Sequence, residues 1–395
     1  AHDLGLAPGE VDWSGPSRLV WSEVLVHAER NGQFEPLLRR IGDEVEDLRD
    51  VAIDAPTLQG SIPPPGGNWS PDWDVGREDI EKAALQAIEG NERNPFVVYG
   101  PSGYGKSWFL DRLAARLTER KSGIRTLVLP ETAFTTHRTT RDFYLALMRA
   151  LLRQVGRNPN EATARWNAEP DSPEPEHLRA LVSDLAGSPP VRTCVLFDVP
   201  DSIWELDPPA RNDFFNQIRD WRHERVGPLT EVRSVVAFSL KPAEWIDTLR
   251  GSPFNVPSFV LDGLNDAEVR ALASLHGLHW TREELAAVQR ALGGHPRHIR
   301  SVMCAAVKGD ALTTLLKEGH LPGRIFHDTL LDLRETLRQR SSLWAGFQRV
   351  VREGVAPGDE RDYRTLLSAG LLRSDDGRRF DVRYELLRRL IELPG

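Results

Sequence analysis

Cysteines are scarce in this chain of 395 residues, and long apolar runs are missing. Its two cysteines, Cys194 and Cys304, exclude a disulfide framework and a multi-cysteine zinc site. No stretch approaches the roughly 18 consecutive apolar residues of a membrane span, and no charged-then-apolar secretory signal opens the sequence. We therefore expect a soluble, cytoplasmic protein without a membrane partner.

An excess of positive charge is missing as well. The 50 lysines and arginines are set against 58 aspartates and glutamates, which gives a formal net charge of −8. This balance disfavours a protein coated in positive charge for nucleic acid, although it leaves a local basic patch open. The 11 histidines show no H-x-x-x-H or H-E-x-x-H spacing, which disfavours a histidine-based metal site.

The N-terminal part differs in composition from the rest of the chain. The apolar spacing in residues 1–53 predicts short helices, and residues 1–60 carry twelve acidic against five basic side chains. Residues 54–71 are rich in proline and glycine, with Pro63-Pro64-Pro65-Gly66-Gly67 at their centre, which is typical of a semi-rigid linker. We therefore predict a small acidic all-α module tethered to a larger body.

From residue 72 onward, short apolar runs alternate with segments of helical length. Such runs are typical of strands buried on both faces of a parallel sheet. The sequence therefore predicts an α/β core with strands at Phe96–Tyr99, Thr126–Leu129, Thr193–Phe197, Ser234–Phe238 and Ser258–Leu261. After Leu261 the pattern becomes helical, and Thr281-Arg282-Glu283-Glu284 has the pattern of a capping box. Near the end, Leu371–Arg373 and Arg379–Val382 flank a predicted hairpin turn.

The strongest motif is G-x-x-x-x-G-K-[ST], which the chain satisfies as GPSGYGKS from Gly100 to Ser107. A chain of this composition would contain roughly 0.004 such matches by chance. An apolar strand leads into the motif, and an amphipathic helix predicted over Ser107–Arg120 leads out of it. Glycines let successive backbone N–H groups point at phosphate oxygens, and the helix N-terminus favours negative charge. The motif therefore predicts a nucleotide site formed by Gly100, Ser102, Gly103, Tyr104, Gly105, Lys106, Ser107 and Trp108.

A P-loop needs an acidic partner at the end of a neighbouring strand. Here Lys106 is expected to reach the β- and γ-phosphates, while the Ser107 hydroxyl binds Mg²⁺. The third predicted strand runs directly into Asp198, which would complete the Mg²⁺ shell. The alternative for Asp198 is that it merely caps a turn before Pro200.

Other polar residues in this region concern hydrolysis rather than binding. Asp201 is the candidate to position the attacking water, with Glu205 as the alternative. Val199 follows Asp198 where many fast P-loop ATPases carry glutamate, which predicts slow hydrolysis. Lys241 follows the fourth predicted strand and is the candidate to contact the γ-phosphate; otherwise it is a solvated surface lysine.

Two shorter motifs flank these residues along the chain. Val75-Gly76-Arg77-Glu78 precedes the P-loop strand, and Gly293-Gly294-His295-Pro296 lies in the helical region. Together with the P-loop and Asp198, in this order, they resemble the STAND class of P-loop ATPases, relatives of AAA+ proteins that include the NACHT and AP-ATPase groups. The resemblance covers residues 72 to 395 and implies ATP/ADP and Mg²⁺ as cofactors. It also implies an adenine pocket formed by Val75, Gly76, Arg77 and Pro296.

The same resemblance implies an order of domains. A P-loop NTPase core with a parallel sheet is expected over residues 72–258, followed by a helical lid over 259–325 and a winged helix over 326–395. The strand tip that often reads T-S-R-P in this class is Ser239-Leu240-Lys241-Pro242 here. The γ-phosphate contact expected of Lys241 therefore lacks the usual arginine.

Residues 1–53 resemble the bacterial effector-associated domains, which are small death-like helical adaptors. The resemblance rests on Val11-Asp12-Trp13-Ser14-Gly15, Val20-Trp21-Ser22-Glu23-Val24-Leu25 and Arg30-Asn31-Gly32. It implies recruitment of a protease or caspase-like effector, and a first helix missing ahead of Ala1. An unrelated three-helix cap on the ATPase is the alternative.

These features together predict a nucleotide-dependent signalling switch in a bacterial conflict or defence pathway. ATP in place of ADP is expected to open the molecule, which then forms a homo-oligomer and recruits an effector through its N-terminal module. The alternative is a DNA-binding AAA+-type ATPase that uses its winged helix in replication initiation or transcription regulation. Thirteen arginines between Arg334 and Arg389 are interrupted by nine acidic residues, which disfavours nucleic-acid binding. A non-hydrolysing scaffold that keeps ADP is a third hypothesis.

Overall fold

The computed structural model describes residues 69–70, 73–90, 94–120, 123–134, 139–200, 203, 206–221, 224, 226–238, 258–374 and 380–393. The chain divides into two units, Ala1–Ser61 and Ile62–Gly395. The predicted N-terminal module and most of the predicted linker lie outside the described residues. The fold below is that of the second unit.

Parallel strands form the central sheet in the order β2-β3-β4-β1-β5. They are β1 (Phe96–Tyr99), β2 (Arg125–Leu129), β3 (Thr193–Val199), β4 (Val232–Phe238) and β5 (Ser258–Val260). Tyr99 lies opposite Phe238, which in turn lies opposite Val199. This register brings the carboxyl ends of β1 and β3 to the same edge of the sheet, with one strand between them.

The five strands predicted from the sequence are confirmed, with ends that differ by at most two residues. The prediction that every strand is buried on both faces is wrong at the two edges of the sheet. β1, β3 and β4 are buried throughout. β2 begins with an exposed residue and then alternates between partly buried and buried positions, and β5 is exposed at both ends, with Val260 61% exposed. An edge strand has a neighbour on one side only, so its apolar run does not guarantee cover on both faces.

Helices cover both faces of the sheet. They are α1 (Glu78–Glu89), α2 (Lys106–Glu119), α3 (Thr140–Gln154), α4 (Glu161–Ala168), α5 (Glu174–Ala186) and α6 (Pro208–Asp220). Alternate residues of β3 point to opposite sides: Cys194 and Leu196 pack with α1 and α2, while Val195 and Phe197 pack with α3 to α6. The result is the three-layer α/β core expected for buried parallel strands.

The C-terminal part is mainly helical. Its helices are α7 (Asp266–Leu275), α8 (Arg282–Leu292), α9 (Pro296–Val307), α10 (Leu312–Glu318), α11 (His327–Arg338), α12 (Ser341–Glu353) and α13 (Glu360–Ser368). The predicted capping box at Thr281 is confirmed, and Gly293 ends α8 in the left-handed conformation. Strands β6 (Leu372–Ser374) and β7 (Phe380–Val382) pair antiparallel where a hairpin was predicted. The turn between them lies outside the described residues.

A single hydrophobic core extends from Leu264 to Leu393. Phe326 lies inside this core and is 1% exposed, at the position where the predicted lid and the predicted winged helix meet. The two predicted regions therefore pack as one body, and their boundary stays a prediction. Within the described part of the chain, no helix is both long and apolar enough to cross a membrane.

Candidate nucleotide-binding site

The P-loop connects β1 to α2 through two glycines in the left-handed backbone region. Gly103 has a φ of 81° and Gly105 a φ of 86°, a conformation that favours glycine over residues with a Cβ. Gly105 is the N-cap of α2. No side chain accepts a hydrogen bond from the first N–H groups of this helix, and its first turn contains no acidic residue. The N-terminal N–H groups of α2 and the positive end of its dipole are thus available to an anion.

Lys106 is buried beneath the loop that it belongs to. Its Nζ donates to the carbonyl oxygens of Gly100 at 3.0 Å and of Pro101 at 3.2 Å. Lys106 is 8% exposed, and its ammonium group lies at the carboxyl end of β1. A phosphate bound by the loop would meet this positive charge close to the backbone donors.

Asp198 lies at the end of β3 and is 7% exposed. Burial raises the pKa of its carboxyl, while the hydroxyl of Ser107, which donates to it, and the charge of Lys106 lower that pKa. Asp111 follows Ser107 by one turn of α2, and its pKa is raised by burial and by the negative charge of Asp198. The structure therefore brings Lys106, Ser107 and Asp198 together as the sequence predicted, and Asp111 adds a carboxylate that the motif did not indicate.

A narrow cavity of about 70 Å³ lies beside the P-loop, on the side of Gly105. Six of the predicted nucleotide residues line it: Val75, Arg77, Tyr104, Gly105, Trp108 and Pro296. Gly76 does not line the cavity, but a Cβ there would come within 2.6 Å of Nη2 of Arg112, which does. The two short flanking motifs, far apart in sequence, thus meet at one place.

Seven further residues of this cavity were not predicted from the sequence: Trp73, Asp74, Phe109, Arg112, Leu264, Leu272 and Arg300. Arg112 pairs with Asp74 at 2.9 Å and also with Glu81. Helical spacing could have indicated two of them, because Arg112 follows Trp108 by four residues and Arg300 follows Pro296 by four. Burial lowers the pKa of Arg77, which lies in the same cavity.

Tyr104 is buried where the P-loop meets the C-terminal body. Its side chain is 1% exposed, with its ring 4.7 Å from that of His295 and 5.5 Å from the guanidinium carbon of Arg383. Gly370 approaches the same loop so closely that a Cβ there would lie 2.9 Å from Cβ of Pro101. The Tyr104 side chain therefore connects the P-loop to the C-terminal body, and it offers little free surface to a ligand.

Two stacked histidines form the contact between α9 and the P-loop. The rings of His295 and His298 lie 3.8 Å apart, and the N–H of His298 donates to Nδ1 of His295 at 3.3 Å. Burial holds the pKa of His295 well below its usual value, and burial followed by the charge of Arg297 lowers the pKa of His298 to about 3. Arg297, which the sequence did not single out, donates its backbone N–H to Gly103 O at 3.3 Å.

Three predicted residues lie outside the described part of the chain: Asp201, Glu205 and Lys241. The same holds for the rest of the strand tip at 239–242. Ser102 is exposed on the loop. No cluster of three or more histidine, cysteine or carboxylate side chains suited to a metal ion occurs among the described residues.

Comparison with known families decides the class of this fold. A family model for the AAA-like domain matches residues 72–392. The chain belongs to this family. No curated protein sequence matches it significantly.

Solved structures resemble this AAA-like domain at low sequence identity. A Walker-type ATPase of Pyrococcus abyssi is 12% identical, covers 85% of this chain and 99% of its own, and superposes with a TM-score of 0.56. The ORC2 protein of Aeropyrum pernix, solved as ADPNP–ADP complexes, is 14% identical over 82% of this chain and 94% of its own, with a TM-score of 0.49. A STAND protein with a tetratricopeptide repeat sensor from Pyrococcus horikoshii is 16% identical over 84% of this chain and 44% of its own, with a TM-score of 0.38. The first of these supports an AAA+-type ATPase fold, and support at this identity extends to the fold alone.

Proposed function

We propose that this AAA-like domain binds ATP or ADP at its P-loop and acts as a nucleotide-dependent signalling switch that hydrolyses ATP slowly. The observation that carries the proposal is the grouping of Lys106, Ser107 and Asp198 around the uncapped N-terminus of α2. Donors, a fixed positive charge and a carboxylate then surround the position of a bound triphosphate.

The residues present fit a magnesium ion. Mg²⁺ is usually held by one or two protein oxygens together with phosphates and water, rather than by a cage of side chains. The Ser107 hydroxyl and the Asp198 carboxylate are hydrogen-bonded neighbours and supply such a pair. When bound, the ion would neutralise charge on the phosphate oxygens. Lys106, whose charge already acts on Asp198, would add a second positive charge.

Slow hydrolysis is proposed from the residue that follows Asp198. Val199 is buried, and an apolar side chain at this place cannot orient an attacking water. Asp201 remains the proposed residue for that role, and Lys241 the proposed contact to the γ-phosphate. A well-positioned general base contributes typically about two to four orders of magnitude in rate, so hydrolysis without one would be slow.

The switch is proposed from the contacts between the C-terminal body and the P-loop. Gly370 and Arg383 pack on Pro101 and Tyr104, so the loop that would hold phosphate also supports the closed arrangement. A nucleotide shifts such an equilibrium only by binding one arrangement more tightly than the other. We propose that ADP favours the closed arrangement and that ATP favours an open one that self-associates.

Partner proposals rest on the sequence of residues 1–53. By their resemblance to effector-associated domains, an ATP-bound oligomer would cluster these modules and recruit a protease or caspase-like effector. DNA binding is the competing function of the C-terminal part, for which we proposed a winged helix. Several of its arginines are already in ion pairs: Arg373 and Arg388 with Asp381, and Arg389 with Glu392. These carboxylates neutralise part of the positive charge that would otherwise be offered to DNA phosphates, which favours the switch.

The test is the solution mass measured by light scattering with Mg²⁺ and either ADP or a non-hydrolysable ATP analogue. We expect a defined oligomer with the ATP analogue alone. Lys106→Ala should abolish both nucleotide binding and assembly, while Lys308→Ala, which removes an exposed lysine of the lid, should change neither. A parent chain that binds no nucleotide would contradict the proposal, and salt-sensitive DNA binding that requires ATP would favour the competing function.

A further inference from the structure

The cavity beside the P-loop is too small for a base and its sugar in the present arrangement. It measures about 70 Å³, whereas pockets that hold small ligands usually measure about 300–1,000 Å³. Two indole side chains, Trp73 and Trp108, contribute flat apolar surfaces to its walls. A side chain that lines the cavity must therefore move before a nucleoside can enter.

Arg300 covers one of these flat surfaces. Its guanidinium carbon lies 4.4 Å from the ring centre of Trp108, well within the distance of a cation–π contact. Trp108 follows Ser107 directly, so its ring lies next to the turn that would bind phosphate. An indole face is the kind of surface on which a nucleobase stacks. Arg300 thus occupies a stacking surface that lies near the expected phosphates.

The contact between Arg300 and Trp108 also connects two parts of the fold. Trp108 belongs to α2 of the core, whereas Arg300 lies on α9 of the C-terminal body, one turn after Pro296. Arg300 is 6% exposed, and burial lowers its pKa, so a charged group is held here away from water. Release of this guanidinium to solvent would recover part of the cost of its burial.

We propose that Arg300 is an internal plug of the base pocket, which an incoming purine base displaces from the face of Trp108. The inference rests on the proposed nucleotide site and adds that the base, on binding there, breaks a contact within the protein. Binding of the base replaces a contact between core and C-terminal body by a contact between core and ligand. The base of either ADP or ATP would remove this one contact, so the two nucleotides still differ in their effect on the closed arrangement only through the γ-phosphate.

The experiment compares a ligand that has a base with one that has none. Dissociation constants for ATP and for inorganic tripolyphosphate, each with Mg²⁺, are measured by calorimetry on the full chain. Arg300→Met keeps the apolar stem and removes the charge, so ATP should bind about three- to tenfold more tightly, the range that corresponds to one lost cation–π contact. Tripolyphosphate should bind as it does to the parent. Arg270→Met, at an exposed position of α7, is the matched control and should alter neither constant.

Each outcome separates the plug from its alternatives. Weaker or unchanged ATP binding in Arg300→Met would overturn the proposal, because an arginine that contacts the base directly would weaken binding when removed. In a Trp108→Leu background the effect of Arg300→Met should vanish, and its persistence would overturn the proposal too. Arg300→Gln, which retains polarity, serves if the methionine variant does not fold. If the parent binds neither ligand, or if Lys106→Ala binds both normally, the nucleotide site itself is contradicted.

Discussion

Acidification is expected to destabilise the AAA-like domain through His298. This residue is 6% exposed; its ring stacks on that of His295 and makes edge-to-face contacts with the rings of Phe326 and Tyr384. Burial and the neighbouring charge of Arg297 lower its pKa to about 3, against an ordinary value of 6.5. Between these two values the unfolded chain binds a proton that the folded chain excludes, so stability is lost as the pH falls below about 6.5.

The size of the effect follows from the interval between solution pH and the unfolded pKa. A solution pH of 5.0 is 1.5 units below the pKa of about 6.5 of the unfolded histidine, which is therefore protonated, whereas the folded histidine is still neutral. One unit corresponds to about 1.4 kcal/mol, so His298 alone should cost about 2 kcal/mol of unfolding free energy at pH 5.0 relative to pH 7.5. Tyr104 and Tyr384 adjoin the histidine pair, so the loss concerns the contact between P-loop and C-terminal body.

The assay is denaturant unfolding of the parent and of His298→Asn at pH 7.5 and pH 5.0. The variant should be less stable at both values, but its loss on acidification should be about 2 kcal/mol smaller than that of the parent. His279→Asn, at an exposed position, should keep the pH dependence of the parent. Equal pH dependence in the parent and in His298→Asn would refute the reasoning, because it would mean that His298 titrates alike in the folded and unfolded chains.

Two further substitutions test the P-loop and the core. Gly103→Ala should weaken ATP binding. It should also lower the free energy of unfolding by more than about 1–2 kcal/mol, the cost of a left-handed backbone for alanine, because its Cβ would in addition lie 2.6 Å from Cε1 of His295. Gly156 has a φ of 72° and open space around it, so Gly156→Ala should lower stability only through backbone strain. Equal melting temperatures for Gly103→Ala and Gly156→Ala would contradict the predicted clash. Phe214→Ala should cost about 3–5 kcal/mol in denaturant unfolding, since Phe214 is fully buried among aromatic rings. Val226→Ala, at an 84% exposed position, should stay within about 0.5 kcal/mol of the parent, and a similar loss in both would show that burial does not govern the cost.

Local sequence patterns were enough to predict the sheet and the phosphate-binding loop. The strand Phe96–Tyr99 is a buried apolar run followed at once by a glycine motif, and both signals act within a dozen residues. Asp198 could be predicted for the same reason, because parallel strands end at one edge of the sheet and a carboxylate after such a strand is conspicuous. The partial exposure of β2 and β5 could not be predicted, because it follows from their position at the edges of the sheet, and strand order depends on the whole chain.

The surroundings of the loop were beyond such local patterns. Tyr104 fits the motif as a variable position, and nothing adjacent to it in sequence indicates that its ring is buried against His295 and Arg383. Arg300 and Trp108 are separated by almost 200 residues, and only the packing of α9 on the core brings them together. These contacts depend on how one body of the fold meets another, which composition and periodicity do not specify.

The short segment between β5 and α7 limits how the molecule can change shape. Leu261 is fixed to the sheet, since its N–H donates to Tyr99 O at 2.6 Å, and Leu264 is fixed to the C-terminal body, since its N–H donates to Gly294 O at 2.7 Å. Between these anchors only Asp262 and Gly263 remain to absorb a rotation. Because residues 264–393 share one core, they would turn as a rigid lever about this pair of residues. The contacts at Pro101, Tyr104 and Trp108 would then break together, so that the C-terminal body would leave the P-loop in one step and not contact by contact.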